Sequence, residues 1–187
     1  MKILAIRLKN LASLAGPFEI DFTAEPLASA GLFAITGPTG AGKSTLLDAL
    51  CLALFGAVPR LSNAQVSAKA PDADGEISTG DPRTLLRRGT GEGYAEVDFV
   101  GIDGRRYRAR WEANRAREKA GGKLQASRQS LRDIDQDQLL ASQKVEFKTQ
   151  LESVLGLNFE QFTRAVLLAQ SEFSAFLKAN DNERSEL

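Results

Sequence analysis

Residues Gly37-Pro38-Thr39-Gly40-Ala41-Gly42-Lys43-Ser44 carry the chemistry most readily named in this chain, the phosphate-binding pattern G-x-x-x-x-G-K-[ST]. Its glycines let backbone N–H groups turn inward around a polyphosphate, and a helix that starts there adds the positive end of its dipole. Lys43 would bridge the β- and γ-phosphates, and the Ser44 hydroxyl would ligate Mg²⁺. The flanks agree with this reading. The apolar run Gly31-Leu32-Phe33-Ala34-Ile35-Thr36 reads as a buried strand entering the loop, and residues 44–55 read as the helix leaving it. A glycine-rich strand–helix turn that binds nothing would leave both the eight-residue pattern and its setting without a reason. The chain is expected to bind a nucleoside triphosphate.

Other chemistry is excluded or local. The 187 residues include no histidine, which removes His-based acid–base catalysis and His-ligated metals. The single cysteine, Cys51, falls on the apolar face of the helix after the loop. It reads as a buried, inert thiol; it excludes an internal disulfide and suits a reducing cytoplasm. The 24 basic and 24 acidic residues cancel, so any electrostatic signal has to be local. Such a signal lies between Arg105 and Arg128, where Arg105, Arg106, Arg108, Arg110, Arg115, Arg117, Lys119, Lys123 and Arg128 outnumber Glu112 and Glu118. Either this is a solvated, charged edge that resists aggregation, or it contacts a nucleic-acid backbone without sequence preference. Tyr107 and Trp111 alternate with the arginines and so share the opposite, core-facing side. No 18-residue apolar run or leader pattern occurs, so neither secretion nor a membrane span is expected.

The elements that must position these residues read as mixed α/β. Residues 2–8 and 18–22 alternate as half-exposed strands, separated by a turn at Gly16-Pro17, before the apolar run 32–36. Residues 57–93 are rich in Gly, Pro, Ser and Asp; a long surface excursion is expected, partly disordered, with at most a short helix near 84–88. Residues 94–100 and 106–111 alternate around Asp103-Gly104, a two-residue hairpin signal. A polar loop at 114–127 and a third strand at 128–134 follow. Ser142 is placed to cap a helix ending at Gly156, and Asn158 to cap another carrying Phe162, Val166 and Leu167. A last helix is expected from about Asp181.

Residues 162–173 then supply a second candidate. The stretch Phe162-Thr163-Arg164-Ala165-Val166-Leu167-Leu168-Ala169-Gln170 has helical periodicity, and by itself is equally an amphipathic helix with an incidental glutamine. Two strands ahead of the phosphate loop, with a glutamine far behind it, resemble the ATPases of the ABC superfamily. Within these the chain resembles the SbcC-type DNA-repair ATPases related to SMC proteins. The resemblance rests on Arg7-Leu8-Lys9-Asn10-Leu11, Ile20-Asp21-Phe22, residues 35–45, Asn114-Arg115-Ala116-Arg117 and residues 162–177. Ser171-Glu172 departs from it, since relatives often have glycine first.

The resemblance implies an α/β fold, the N-terminal lobe of an ABC-type ATPase head: a mixed or antiparallel β-subdomain, the phosphate loop with its helix, and a helical C-terminal part. It divides the chain into strands and loop helix (1–56), a flexible excursion (57–93), a basic hairpin region (94–134), a helical part with the glutamine loop (135–178) and the start of a coiled-coil helix (179–187). ATP would be held by Asn10, Ser13, Gly37, Pro38, Thr39, Gly40, Ala41, Gly42, Lys43, Ser44 and Thr45. Lys43 and Gln170 would act on the γ-phosphate, and Ser44 and Gln170 would share Mg²⁺. Arg105, Arg115, Arg117, Lys119 and Lys123 would contact duplex DNA. The implied partners are an SbcD-type nuclease, a second ATPase subunit and the C-terminal half of the same head. The chain has no apolar strand ending in Asp-Glu and no Leu-Ser-Gly-Gly run. As half of a split head, it is expected to turn over little ATP alone. A RecF- or SMC-like ATPase without a nuclease, and a non-catalytic DNA-binding module, are the alternatives; a metabolic phosphate-loop kinase fits the two leading strands poorly.

Overall fold

The computed structural model describes residues 1–62, 68–73 and 75–166. Alternation builds its centre. Strand β1 (Lys2–Lys9), β2 (Phe18–Asp21), β5 (Glu92–Val100), β6 (Arg106–Asn114), β7 (Arg128–Asp133) and β8 (Gln138–Ala141) form a six-stranded antiparallel sheet in the order β2-β1-β5-β6-β7-β8. On one face Leu8, Ala95, Val97, Phe99, Tyr107, Ala109, Trp111, Ala113 and Leu131 are nearly or wholly shut off from solvent. Helix α1 (Lys43–Phe55) lies across β1, β5 and β6 on this face, and α3 (Lys144–Leu155) covers β7 and β8. Alanines 95, 109 and 113 leave room for α1, whose residues 48–54 are all buried, Cys51 among them. A helix this apolar on all sides has to lie within a core. Tyr107 and Trp111 face inward as their alternation requires.

The opposite face of the sheet is a lattice of charge. Arg7 Nη1 donates to Asp98 Oδ2 at 2.9 Å, and Arg108 grips Asp98 through Nε (2.7 Å) and Nη2 (2.8 Å). Arg110 donates to Glu96 at 3.0 Å and stacks 4.1 Å above the Tyr94 ring. Helix α4 (Phe159–Ala165) begins with a reciprocal capping box between Asn158 and Gln161, and Phe162 is fully buried against Phe55.

Several expectations need correction. Residues 31–36 pair in no strand among the described residues, and they are exposed; Leu32 is 93% accessible, Phe33 48% and Ile35 45%. Apolar content marks a segment for burial, but a strand also needs neighbours for its backbone groups. Within 57–93 the described residues are 57–62, 68–73 and 75–93, and these carry regular elements. They hold α2 (Pro59–Ser62), the separate hairpin of β3 (Lys69–Asp72) and β4 (Gly75–Ser78), and a 3₁₀ turn at Pro82–Leu85. Buried Leu85 and Leu86 tie this region to the core. The β5–β6 turn is longer than two residues: Gly101 N–H donates to Arg105 O at 2.9 Å, with Gly104 left-handed at φ 81°. Strand β8 has no counterpart among the expected elements. The residue at the cap position of α3 is Gln143, whose side chain makes no cap bond, not Ser142. Val166 is exposed, and the expected helix from Asp181 lies outside the described residues.

Candidate nucleotide-binding site

The phosphate loop runs from the exposed residues 31–36 into the N-terminus of α1, and residues 37–41 are open to solvent. Gly40 (φ 84°) and Gly42 (φ 95°) occupy the left-handed region, which the curl of the loop requires. Gly42 is the N-cap of α1; no side chain caps the helix and no acidic residue stands in its first turn. Among the described residues, the N–H groups of Gly40, Gly42, Lys43, Ser44 and Thr45 meet no acceptor. A run of unpaired donors on an exposed loop, backed by the positive end of a 13-residue helix, is a cradle for a polyanion. Lys43 Nζ reaches back to Gly37 O (2.7 Å) and Pro38 O (2.9 Å), which parks the ammonium at the mouth of the loop. Ser44 is exposed beside it, while Thr45 is buried at 6% accessibility. These groups fit a Mg²⁺-bound nucleotide: amides and a lysine for the phosphates, a hydroxyl for the metal.

The turn after β1 packs directly on this loop. A Cβ added to Gly42 would stand 2.6 Å from Leu14 Cδ2, so Leu14 already fills the space above the last loop glycine. Asn10 and Ala12 both have positive φ, 53° and 46°. Asn10 commits its side-chain amide to Glu92 O at 2.9 Å, and Ser13 is exposed. The carbonyls of Ala12 and Ser13 accept from Arg87 Nη1 at 3.1 and 2.6 Å. Sequence reasoning does not single out Arg87; it sits in a polar stretch with no periodicity, and its partners lie more than seventy residues away.

A family model described as an AAA domain matches residues 5–187. The chain belongs to that family. It is 72% identical over its whole length to the SbcC subunit of nuclease SbcCD from Pseudomonas aeruginosa, of which it spans 16%. It is 56% identical, again over its whole length, to the corresponding SbcC subunit from Rhodobacter capsulatus, spanning 15% of that protein. A probable DNA double-strand break repair Rad50 ATPase of Aquifex aeolicus is 30% identical over the whole chain, which spans 16% of it. No helix among the described residues is long and apolar enough to cross a membrane.

In this AAA domain the basic tract is less basic than its sequence. Arg105 pairs with Asp103 (2.8 Å) and Asp133 (2.9 Å), Arg106 with Asp135 (2.6 Å), and Arg108 and Arg110 with the lattice above. Arg115 is held by Asp72 and is only 10% exposed. The excess positive charge expected along the hairpin is therefore mostly neutralised by acids from neighbouring strands. Arg105 and Arg115 also stand at opposite ends of β6, about 30 Å apart by strand rise. Arg117, Lys119 and Lys123 share a loop at the Arg115 end, the end where the turn after β1 meets Leu86. Beside that loop is a cleft of about 360 Å³, lined in part by Asp72, Arg83, Arg88 and Arg115. Gln170 lies outside the described residues.

Proposed function

We propose that this chain is the ATP-binding part of the ATPase subunit of an SbcC–SbcD-type nuclease complex, in which ATP binding and hydrolysis control DNA binding and cleavage by the partner. The reading is carried by one observation: unpaired amides, Lys43 and Ser44 converge at the N-terminus of α1, in a chain similar along its full length to the SbcC subunit of nuclease SbcCD. MgATP would seat its phosphates on residues 37–42 and Lys43, with Thr45 offering its backbone N–H. Ser44 and Gln170 would ligate Mg²⁺, and Asn10 and Ser13 would flank the adenosine. When bound, Mg²⁺ would supply neutralisation of the charge that develops on the phosphate oxygens as ADP leaves.

The exposed apolar segment 31–36 supports a further assignment. Leu32, Phe33 and Ile35 on an unpaired segment ask for strands from elsewhere, which fits the C-terminal half of the same head as the occupant. A second ATPase subunit and the nuclease complete the assembly. For duplex DNA, Arg117 and Lys119 on the loop that also holds Lys123 are better placed than the paired Arg105 and Arg115. The test is turnover by the full-length protein copurified with its nuclease. DNA cleavage that requires ATP in wild type and is lost in Gln170→Ala, with ADP affinity kept, supports the reading. ATP-independent cleavage, or equal loss of ADP and ATP binding, contradicts it.

A further inference from the structure

We propose that Arg87 is a positioning residue of the nucleotide site, holding the turn formed by residues 10–15 in the strained shape that walls the phosphate loop. The inference rests on reading residues 37–44 as nucleotide-binding with Asn10 and Ser13 beside the adenosine. Strain is the first observation. Asn10 and Ala12 both stand at left-handed φ, where residues other than glycine seldom settle unless their surroundings over-determine them. The turn closes on itself through Asn10 N–H to Ala15 O and the Leu11–Leu14 bridge. That closure leaves the carbonyls of Asn10, Ala12 and Ser13 to outside donors.

Arg87 serves all three carbonyls. Its backbone N–H donates to Asn10 O at 2.9 Å, and a single side-chain nitrogen, Nη1, donates to both Ala12 O and Ser13 O. Arg7, Arg105, Arg108, Arg110 and Arg115 are all held by carboxylates. Arg87 has none among the described residues; its guanidinium is spent on the turn. What the turn touches gives the clamp a purpose. Leu14, within the turn, packs over Gly42 and seats the turn against the loop, so a shift of the turn displaces Asn10 and Ser13 from the adenosine side while the loop amides and Lys43 keep their places.

The pattern of bonds makes a specific test possible. Because one nitrogen makes both side-chain bonds, lysine can replace it, whereas methionine keeps an apolar arm without a donor. The full-length protein and its Arg87→Met, Arg87→Lys and Lys43→Ala variants are titrated calorimetrically with MgATP and with magnesium tripolyphosphate, and their melting temperatures are compared. Arg87→Met should weaken MgATP about tenfold and tripolyphosphate by no more than about twofold, because the loop amides and Lys43 are untouched. Arg87→Lys should restore MgATP binding to within about threefold of wild type. Wild-type MgATP affinity in Arg87→Met overturns the proposal. So does an equal loss of both ligands with a lowered melting temperature that lysine fails to restore, which makes Arg87 a residue of the fold alone. If Lys43→Ala binds both ligands like wild type, the nucleotide reading itself falls, whatever Arg87 does.

Discussion

Gly42 has two separate reasons to be glycine, and both bear on the phosphate loop. Its φ of 95° is one that L side chains resist, and any Cβ would strike Leu14. Gly42→Ala should therefore lower stability by roughly 1–3 kcal/mol, between backbone strain and overpacking, and weaken MgATP more than that loss of fold explains. Thermal melting and a titration on the same sample check this; an unchanged melting temperature would contradict it. Gly40, with nothing within 4 Å of its missing Cβ, is the control for φ alone. The loop residues were legible in sequence because their pattern is contiguous and glycine-dependent. The use of the Asn10 amide on Glu92 and of Arg87 on Ser13 was not, since those partners are set by the sheet's register.

At the scale of elements, alternation predicts β1, β2 and the β5–β6 hairpin, and the Asn158 cap predicts where α4 starts. Strands of four residues that contain proline or glycine, such as β3 and β4, give no period to read. Alternation also puts the arginines of β6 on one face without saying which acids meet them. Asp98 is the centre of that face: burial pushes its carboxyl up, but the bonds from Arg108 and Arg7 outweigh burial and hold it below the usual range. A depressed folded pKa means that its stabilisation is present above the unfolded value of about 3.9 and is lost as pH falls through the folded one. Asp103 behaves alike at the hairpin tip, held at about 2 chiefly by the Tyr107 hydroxyl. Melting temperature followed from neutral pH down through the carboxylate range should fall along the acid limb, and Asp98→Asn should start lower at neutral pH and fall less steeply. A variant with the wild-type slope would show that the Asp98 carboxylate carries none of the stability lost in acid.

The described residues form a six-stranded sheet with α1 and α3 on one face, a separate two-stranded hairpin, and an apolar segment that pairs with neither. Alternation, helical periodicity and the family resemblance were enough to anticipate a mixed α/β fold, but not that residues 31–36 would pair with no strand among the described residues. Amides of 31–36 should exchange within seconds in the 187-residue chain and become protected when the rest of the head is present, as followed by mass spectrometry. Equal exchange in both would place the completing strands elsewhere. The loop of Arg117 and Lys119 gives a second test: replacing both with serine should weaken duplex binding alike for unrelated sequences, with the salt slope reduced by roughly one unit per lost contact. Unchanged binding at low salt would remove this loop from the DNA surface. Nucleotide binding at residues 37–44 is tested by a calorimetric titration of the full-length protein with MgATP, wild type against Lys43→Ala. Among the described residues the Lys43 ammonium bonds to exposed loop carbonyls alone, so its loss should spare the fold. Saturable one-site binding in wild type, with at least about tenfold loss in Lys43→Ala at an unchanged melting temperature, is the predicted result; equal affinity in the two proteins would contradict it.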